Sequence, residues 1–190
     1  MGAGALPNFD LACGAGLSAD FAALGHWDYH AAARHVRRLP FGRDSLRANY
    51  GLVLTEGRGT GSTKYALLAA LAGEHGRPME LRLSIYEMNA DNTPGVGPVL
   101  RRCGLDLVPE AHCYLACRGV RVDLTRVATT DPIEGFLYEE TIGPAGIDAY
   151  KVDVHRWVVR GWAVERGLDF GYVWRVREEC TVALSELDLA

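Results

Sequence analysis

The chain has 190 residues, 48% of them apolar, and a formal net charge of −4. A chain of this size and composition can bury a core without disulfide bonds or metal, which argues against a disordered or fibrous protein. The mildly acidic balance, without a basic block, excludes a typical nucleic-acid-binding surface. No apolar run reaches the ~20 residues that a membrane-spanning helix needs, so no membrane partner is expected.

The cysteines indicate a reducing compartment. They are odd in number and lack the spacing of a disulfide framework, and the first residues lack the pattern of a secretory signal. We therefore expect reduced thiols and a cytoplasmic protein. The five positions are Cys13, Cys103, Cys113, Cys117 and Cys180. We expect a single domain over residues 1–190, with a flexible Gly- and Ala-rich segment over residues 1–15. The sequence predicts no particular oligomeric state.

Helical patterns open the chain. The first predicted helix covers Ser18–Leu24, with Ser18 as its cap. A second helix covers Trp27–Leu39 and ends because Pro40 follows it. The segment Gly42–Tyr50 is predicted to be a loop.

The strongest helix signal follows a glycine-rich turn over Gly57–Gly61. Ser62 is the expected cap, and the helix is expected to end near Gly76. Its apolar positions have the 3.6-residue spacing of one helix face. They are Tyr65, Leu68, and Leu71 or Ala72.

The rest of the chain predicts strands followed by helices. The strands are Glu80–Tyr86, His112–Cys117, Val120–Thr125 and Tyr150–Val154. The helices are Val99–Cys103, Arg156–Arg166 and Tyr172–Leu184. This order indicates an α+β fold with mostly antiparallel strands. Three tryptophans of the C-terminal helices are expected in the core. They are Trp157, Trp162 and Trp174.

A tight hairpin is predicted through Arg118-Gly119, and its register determines which candidate catalytic side chains are neighbours. If Cys117 pairs with Val120, His112 and Asp123 become diagonal neighbours on one sheet face. Diagonal Cα separations of about 7–8 Å allow a His–Asp hydrogen bond, which would fix the imidazole tautomer. The alternative is that His112 is a polar core residue and Asp123 a solvated charge at the sheet edge.

Three segments together resemble the transglutaminase-like proteins. The string GRGTGSTKYALLAALAGEHG (residues 57–76) is similar to the motif that delivers that family's cysteine at the start of an Ala- and Leu-rich helix. The strings EAHCYL (110–115) and RVDLT (121–125) look like the strands that carry its His and Asp. The resemblance covers residues 40–125 and implies a papain-like core, with a helix packed on an antiparallel sheet and extra N- and C-terminal helices.

The resemblance also assigns roles. His112 matches the catalytic His, Asp123 the catalytic Asp, and Gly61 the position of the nucleophilic cysteine. The family's chemistry needs an activated thiolate, and glycine has no side chain, so the chain is expected to be catalytically impaired. Ser62 lies about 100° further around the helix and should miss His112. Cys113 points to the opposite sheet face by strand alternation.

Ligand-binding positions follow from the same arrangement. Tyr114 and Arg121 flank Asp123 and are expected to line a cleft for a peptide or a small amide. Glu56 is a candidate contact for a substrate amine, and Ser62 is a further candidate binding residue. Cysteines do not converge with His112 on one face, so neither a metal nor another cofactor is predicted.

Three hypotheses remain open at this point. The first is a non-catalytic relative that keeps the cleft. The second is an active cysteine hydrolase or acyltransferase whose native form has a cysteine at position 61. The third is a structural or interaction module.

Overall fold

The computed structural model describes residues 6–12, 14–122, 124, 133 and 135–187. Within these residues the helices are α1 (Leu17–Ala23), α2 (Tyr29–Arg38), α3 (Leu52–Glu56), α4 (Gly61–Glu74), α5 (Gly97–Arg102), α6 (Ala149–Glu165) and α7 (Phe170–Leu187). The strands are β1 (Glu80–Asn89), β2 (Leu107–Cys117), β3 (Val120–Val122) and β4 (Tyr138–Ile142). The strands form an antiparallel sheet in the order β3-β2-β1-β4, which confirms the α+β class.

The predicted hairpin register is confirmed where the structure describes it. Cys117 pairs with Val120 and Leu115 with Val122, in antiparallel orientation. Arg118 and Gly119 have φ values of 51° and 77°, the left-handed pair that a two-residue type I′ turn requires. The predicted continuation of β3 to Thr125 involves Asp123 and Thr125, which lie outside the described residues.

The chain divides into two compact units. The first comprises Met1–Arg82, Cys113–Thr125 and Thr141–Asp148, and the second Leu83–His112, Arg126–Glu140 and Ala149–Ala190. Gly61 therefore belongs to the first unit, whereas His112 belongs to the second.

Helix α4 forms the centre of the first unit. Every side chain from Ser62 to Ala69 is buried, as are Leu71 and Ala72. Helices α1, α2 and α3 pack against it, together with a 3₁₀ helix over Pro144–Ile147. A helix enclosed in this way needs apolar residues around its whole circumference, and the Ala- and Leu-rich sequence provides them.

Two features of the N-terminal region differ from the sequence expectation. Ser18 lies inside α1, and the carboxylate of Glu74 accepts hydrogen bonds from the backbone N–H groups of Leu17 and Ser18 at 2.9 and 3.1 Å. A carboxylate that is distant in sequence thus caps α1 in place of Ser18. The spacing of residues around α1 cannot predict such a cap. The described part of the segment that was expected to be flexible buries Leu6 and Phe9.

The prediction of a strand over Tyr150–Val154 is wrong. These residues form the first turns of α6, and Tyr150 is 48% exposed. Apolar residues alternate within Tyr150–Val154, but the residues that follow have a helical spacing. His155, Val159 and Trp162 are buried on one face of α6. The edge strand β4 was not predicted.

A buried ion pair connects α7 to β2 in the second unit. Arg177 donates hydrogen bonds from Nε and Nη2 to the two carboxylate oxygens of Glu110, at 2.5 and 2.8 Å, and the two side chains are only 12% and 15% exposed. Burial alone raises the pKa of Glu110, but the charge and hydrogen bonds of Arg177 lower it to about 2. Nearby, His155 Nε2 forms a 3.0 Å hydrogen bond with the carbonyl oxygen of Pro109, and burial lowers the pKa of His155 to about 4.

Two of the three tryptophan predictions need comment. Trp162 is buried, as expected, and donates a hydrogen bond to Glu87. Trp157 is 63% exposed, so its assignment to the core is wrong. Trp157 lies on the α6 face opposite to the buried residues, because α6 buries only one side.

We expect Glu110→Gln to lower the free energy of unfolding by about 3 kcal/mol, since it removes the buried carboxylate that pairs with Arg177 and leaves that guanidinium its contact with the more exposed Glu178. The matched control is Glu179→Gln, which breaks the exposed Arg102–Glu179 pair and should cost at most about 1 kcal/mol. Urea denaturation of both variants measures the difference. Equal costs would show that burial of the Glu110 pair adds nothing.

Stability should fall in mild acid because of His155. Its pKa is about 4 in the folded chain and about 6.5 when unfolded, so the unfolded state binds the proton first. This contribution is fully present above pH ~6.5 and is lost down to pH ~4, with about 2–3 kcal/mol gone by pH ~4.5. Denaturation at several pH values should show a weaker dependence for His155→Gln. Superimposable profiles for the two proteins would contradict this assignment.

Candidate functional site

The glycine-rich turn leads directly into α4. Gly57 ends α3 in the left-handed conformation, with φ +64°. The backbone of Gly59 lies so close to Val53 that an added Cβ would be 2.9 Å from Val53 Cγ2. Thr60 is the N-cap, since its Oγ1 accepts a hydrogen bond from the Thr63 N–H at 3.3 Å. The turn needs glycine at these two places for different reasons, one conformational and one steric.

Gly61 is the first residue of α4, as the sequence predicts. Its backbone is helical, so a residue with a side chain could adopt the same conformation without backbone strain. The prediction that Ser62 caps the helix is wrong. Ser62 lies inside the first turn and is buried, while Thr60, two residues earlier, does the capping.

Tyr65 fixes the orientation of the face that carries Gly61. It lies four residues after Gly61, on the same side of the helix, and is fully buried. Its hydroxyl oxygen accepts a hydrogen bond from the backbone N–H of Leu124. Leu124 directly follows Asp123 in the sequence. The Gly61 face of α4 is therefore attached to the chain segment in which the candidate aspartate lies.

A buried lysine completes the first turn of α4. Lys64 is 4% exposed, and its Nζ donates a hydrogen bond to the carbonyl oxygen of Leu39 at 2.5 Å. The bond ties the end of α2 to the start of α4. An ammonium group in such a place needs acceptors around it, since an unpaired buried charge is costly.

His112 lies in β2 and is partly buried. Its carbonyl oxygen accepts a hydrogen bond from Ser84 Oγ at 3.2 Å, and its ring stands edge-on to Tyr86 with 6.2 Å between the ring centroids. Glu110 lies two residues earlier on the same face of the strand, where Arg177 binds it. The Glu110–Arg177 ion pair thus connects the part of β2 that contains His112 to α7.

Tyr114 and Arg121, the two residues predicted to flank Asp123, contact each other. The guanidinium of Arg121 lies over the ring of Tyr114, 4.3 Å from its centroid, in a cation–π contact. Tyr114 is buried. The predicted partner between them, Asp123, lies outside the described residues, so its hydrogen bond with His112 stays a prediction.

Glu56 lies on the loop side of the glycine-rich turn. Its carboxylate accepts hydrogen bonds from the backbone N–H and the hydroxyl of Ser45, and from Arg58. The Ser45 hydroxyl is the main cause of a lowered Glu56 pKa. These bonds attach the loop after α2 to the turn that precedes Gly61.

The cysteines of the hairpin occupy the other sheet face. Cys113 and Cys117 are buried there. Among the described cysteines none forms a disulfide bond. No cluster of three or more potential metal ligands occurs within the described ranges.

Three residues of this region escaped the sequence reasoning. Thr60 carried a signal, because a threonine directly before a helix is a typical cap. Tyr65 carried a weaker one, a hydroxyl in an otherwise apolar helix. Lys64 gave none, since a lysine in a first helical turn is normally solvated.

Comparisons with family models, with curated proteins and with solved structures give no match to this chain. No described helix combines the length and apolar character needed to cross a membrane.

We expect Tyr65→Phe to destabilise the protein by about 1–3 kcal/mol, because the buried Leu124 N–H loses its acceptor. Tyr29→Phe is the matched control. The Tyr29 hydroxyl donates to the Leu68 carbonyl at 3.1 Å within the same unit, and that carbonyl belongs to a helix that already uses it. The control should cost no more than about 1 kcal/mol by urea denaturation. A Tyr65 variant no less stable than the control would refute the anchoring role.

Proposed function

We propose that the chain is a transglutaminase-like domain that lacks its nucleophile and keeps a binding cleft for a peptide or a small amide. The observation that carries the proposal is the placement of Gly61. Gly61 is the first residue of a buried, capped helix and lies on the same face as Tyr65. The Tyr65 hydroxyl binds the backbone N–H of Leu124, the residue that follows Asp123 in the sequence.

The start of α4 suits an activated thiol. The first N–H groups of a helix carry a partial positive charge, which lowers the pKa of a nearby thiol and stabilises an oxyanion. In the resemblance, His112 would take the proton of that thiol and Asp123 would orient the imidazole. These roles, and the meeting of the three positions, belong to the proposal.

With glycine at position 61 the covalent step has no nucleophile. Acyl transfer of this kind begins when a sulfur atom attacks a carbonyl carbon, and no side-chain atom exists to do so. Ser62 does not replace it, because its side chain is buried in the first turn of α4. What remains is recognition, for which Tyr114 and Arg121 offer an aromatic ring and a cation in contact.

The second candidate is an active cysteine hydrolase or acyltransferase whose native form has a cysteine at position 61. The helical backbone of Gly61 favours it, because a cysteine fits that conformation. Both candidates share the same scaffold, so a cysteine introduced at position 61 tests the geometry that they have in common.

We expect Gly61→Cys to create a thiol that iodoacetamide labels at mildly acidic pH, about tenfold faster than an ordinary thiol, since a lowered pKa raises the thiolate fraction more than it lowers nucleophilicity. Peptide mass analysis locates the adduct. Adding His112→Ala or Asp123→Asn to this variant should slow the labelling.

Gly73→Cys provides the matched control. Gly73 lies near the other end of the same helix, is exposed, and has open space around an added Cβ. Its thiol lies where the helix dipole disfavours a thiolate. If the cysteine at position 61 labels no faster than the one at position 73, the proposal fails and the structural-module hypothesis takes its place.

A further inference from the structure

Three aromatic side chains gather on an exposed surface of the second unit. Tyr138 lies at the start of the edge strand β4, and Tyr150 and Trp157 lie seven residues apart on one face of α6. The rings of Tyr138 and Trp157 are 5.8 Å apart and nearly perpendicular, at 82°. Tyr150 is 48% exposed and Trp157 63% exposed. We call this set the aromatic cluster.

A carboxylate lies behind the aromatic cluster. Glu140 shares the face of β4 with Tyr138, two residues away, and its Oε2 accepts a 2.9 Å hydrogen bond from the Tyr150 hydroxyl. Its other oxygen, Oε1, is buried and has no hydrogen-bond partner among the described residues. Within the part of the chain that the structure describes, the negative charge of Glu140 therefore lies beside the Tyr150 ring and forms no salt bridge.

Neighbouring arginines of α6 are directed elsewhere. Arg156 lies over the ring of Trp174, at 5.3 Å, and Arg160 over the ring of Phe170, at 4.8 Å. Both arginines therefore contact aromatic residues outside the aromatic cluster.

We propose that the aromatic cluster and Glu140 form a binding site for a quaternary ammonium group. The exposed ring of Trp157 offers an electron-rich face to a cation, and the nearby carboxylate of Glu140 adds charge attraction. The ligand is an alkylated rather than a simple ammonium. Primary ammonium groups are strongly hydrated and would lose hydrogen bonds against an aromatic wall, whereas methyl groups have none to lose.

The proposal is independent of the chemistry assigned to position 61. Every residue of the site belongs to the second unit, and none of them is part of the hairpin or of α4. A failure of the thiol experiment therefore leaves this proposal untouched, and the reverse also holds.

Titration with tetramethylammonium chloride at constant ionic strength tests the site, followed by the indole N–H signals of the four tryptophans in NMR spectra. We expect one indole signal to shift saturably with a Kd of about 1–10 mM, as a few weak cation–π contacts allow. That signal should be the one missing from Trp157→Phe. The uncharged isostere of choline, 3,3-dimethyl-1-butanol, should bind at least about fivefold more weakly, since it lacks the charge that the rings attract.

The variants separate the two components of the site. Trp157→Ala should weaken binding at least about tenfold and Glu140→Gln about threefold, because one removes a ring and the other only the charge. Trp27→Ala removes an equally exposed tryptophan, 57% exposed, from the first unit and should change nothing. Choline and a trimethyllysine amide serve as second ligands, and the tighter of the two indicates the natural source of the group.

Several results would overturn the proposal. One is the absence of a saturable shift with all three cations. Another is equal binding of the uncharged isostere, which would mean an apolar patch without charge selectivity. Undiminished binding by folded Trp157→Ala and Glu140→Gln proteins, judged by their NMR spectra, would exclude the site as well.

Discussion

The hydrogen bond between Tyr65 and the Leu124 backbone is the constraint on which the candidate site depends. Helix α4 is buried almost all around, so apolar packing alone specifies its position more strongly than its rotation. A buried polar group in that surround must find a partner, and the partner that the Tyr65 hydroxyl finds helps to fix the rotation. Because Gly61 lies one turn before Tyr65, the bond also determines which way position 61 faces.

Local sequence patterns were sufficient to predict the secondary-structure elements near this bond. The glycine-rich turn with its following helix and the two-residue hairpin were both predictable, because each depends on neighbouring residues and on backbone conformation. The hairpin register followed from the turn. The cap of α1 did not, because Glu74 supplies it from 56 residues away in the chain.

Longer-range packing decided the predictions that failed. Tyr150–Val154 alternates as a strand would, yet it continues into α6 because the buried face of the whole helix has a 3.6-residue period. Trp157 was expected in the core by residue type, and its exposure depends on which side of α6 meets its neighbours. Asp123 lies outside the described residues, so the His112–Asp123 pair rests on the sequence and the confirmed register alone.

Different contacts stabilise different parts of this chain. The Glu110–Arg177 pair stabilises the strand that bears His112, whereas Thr60, Lys64 and Tyr65 arrange the start of α4. Hydrogen exchange of the Leu124 amide tests the central claim most directly, since that N–H is bonded to a buried hydroxyl. The account predicts slow exchange that becomes markedly faster in Tyr65→Phe. Fast exchange in the unaltered protein would contradict it.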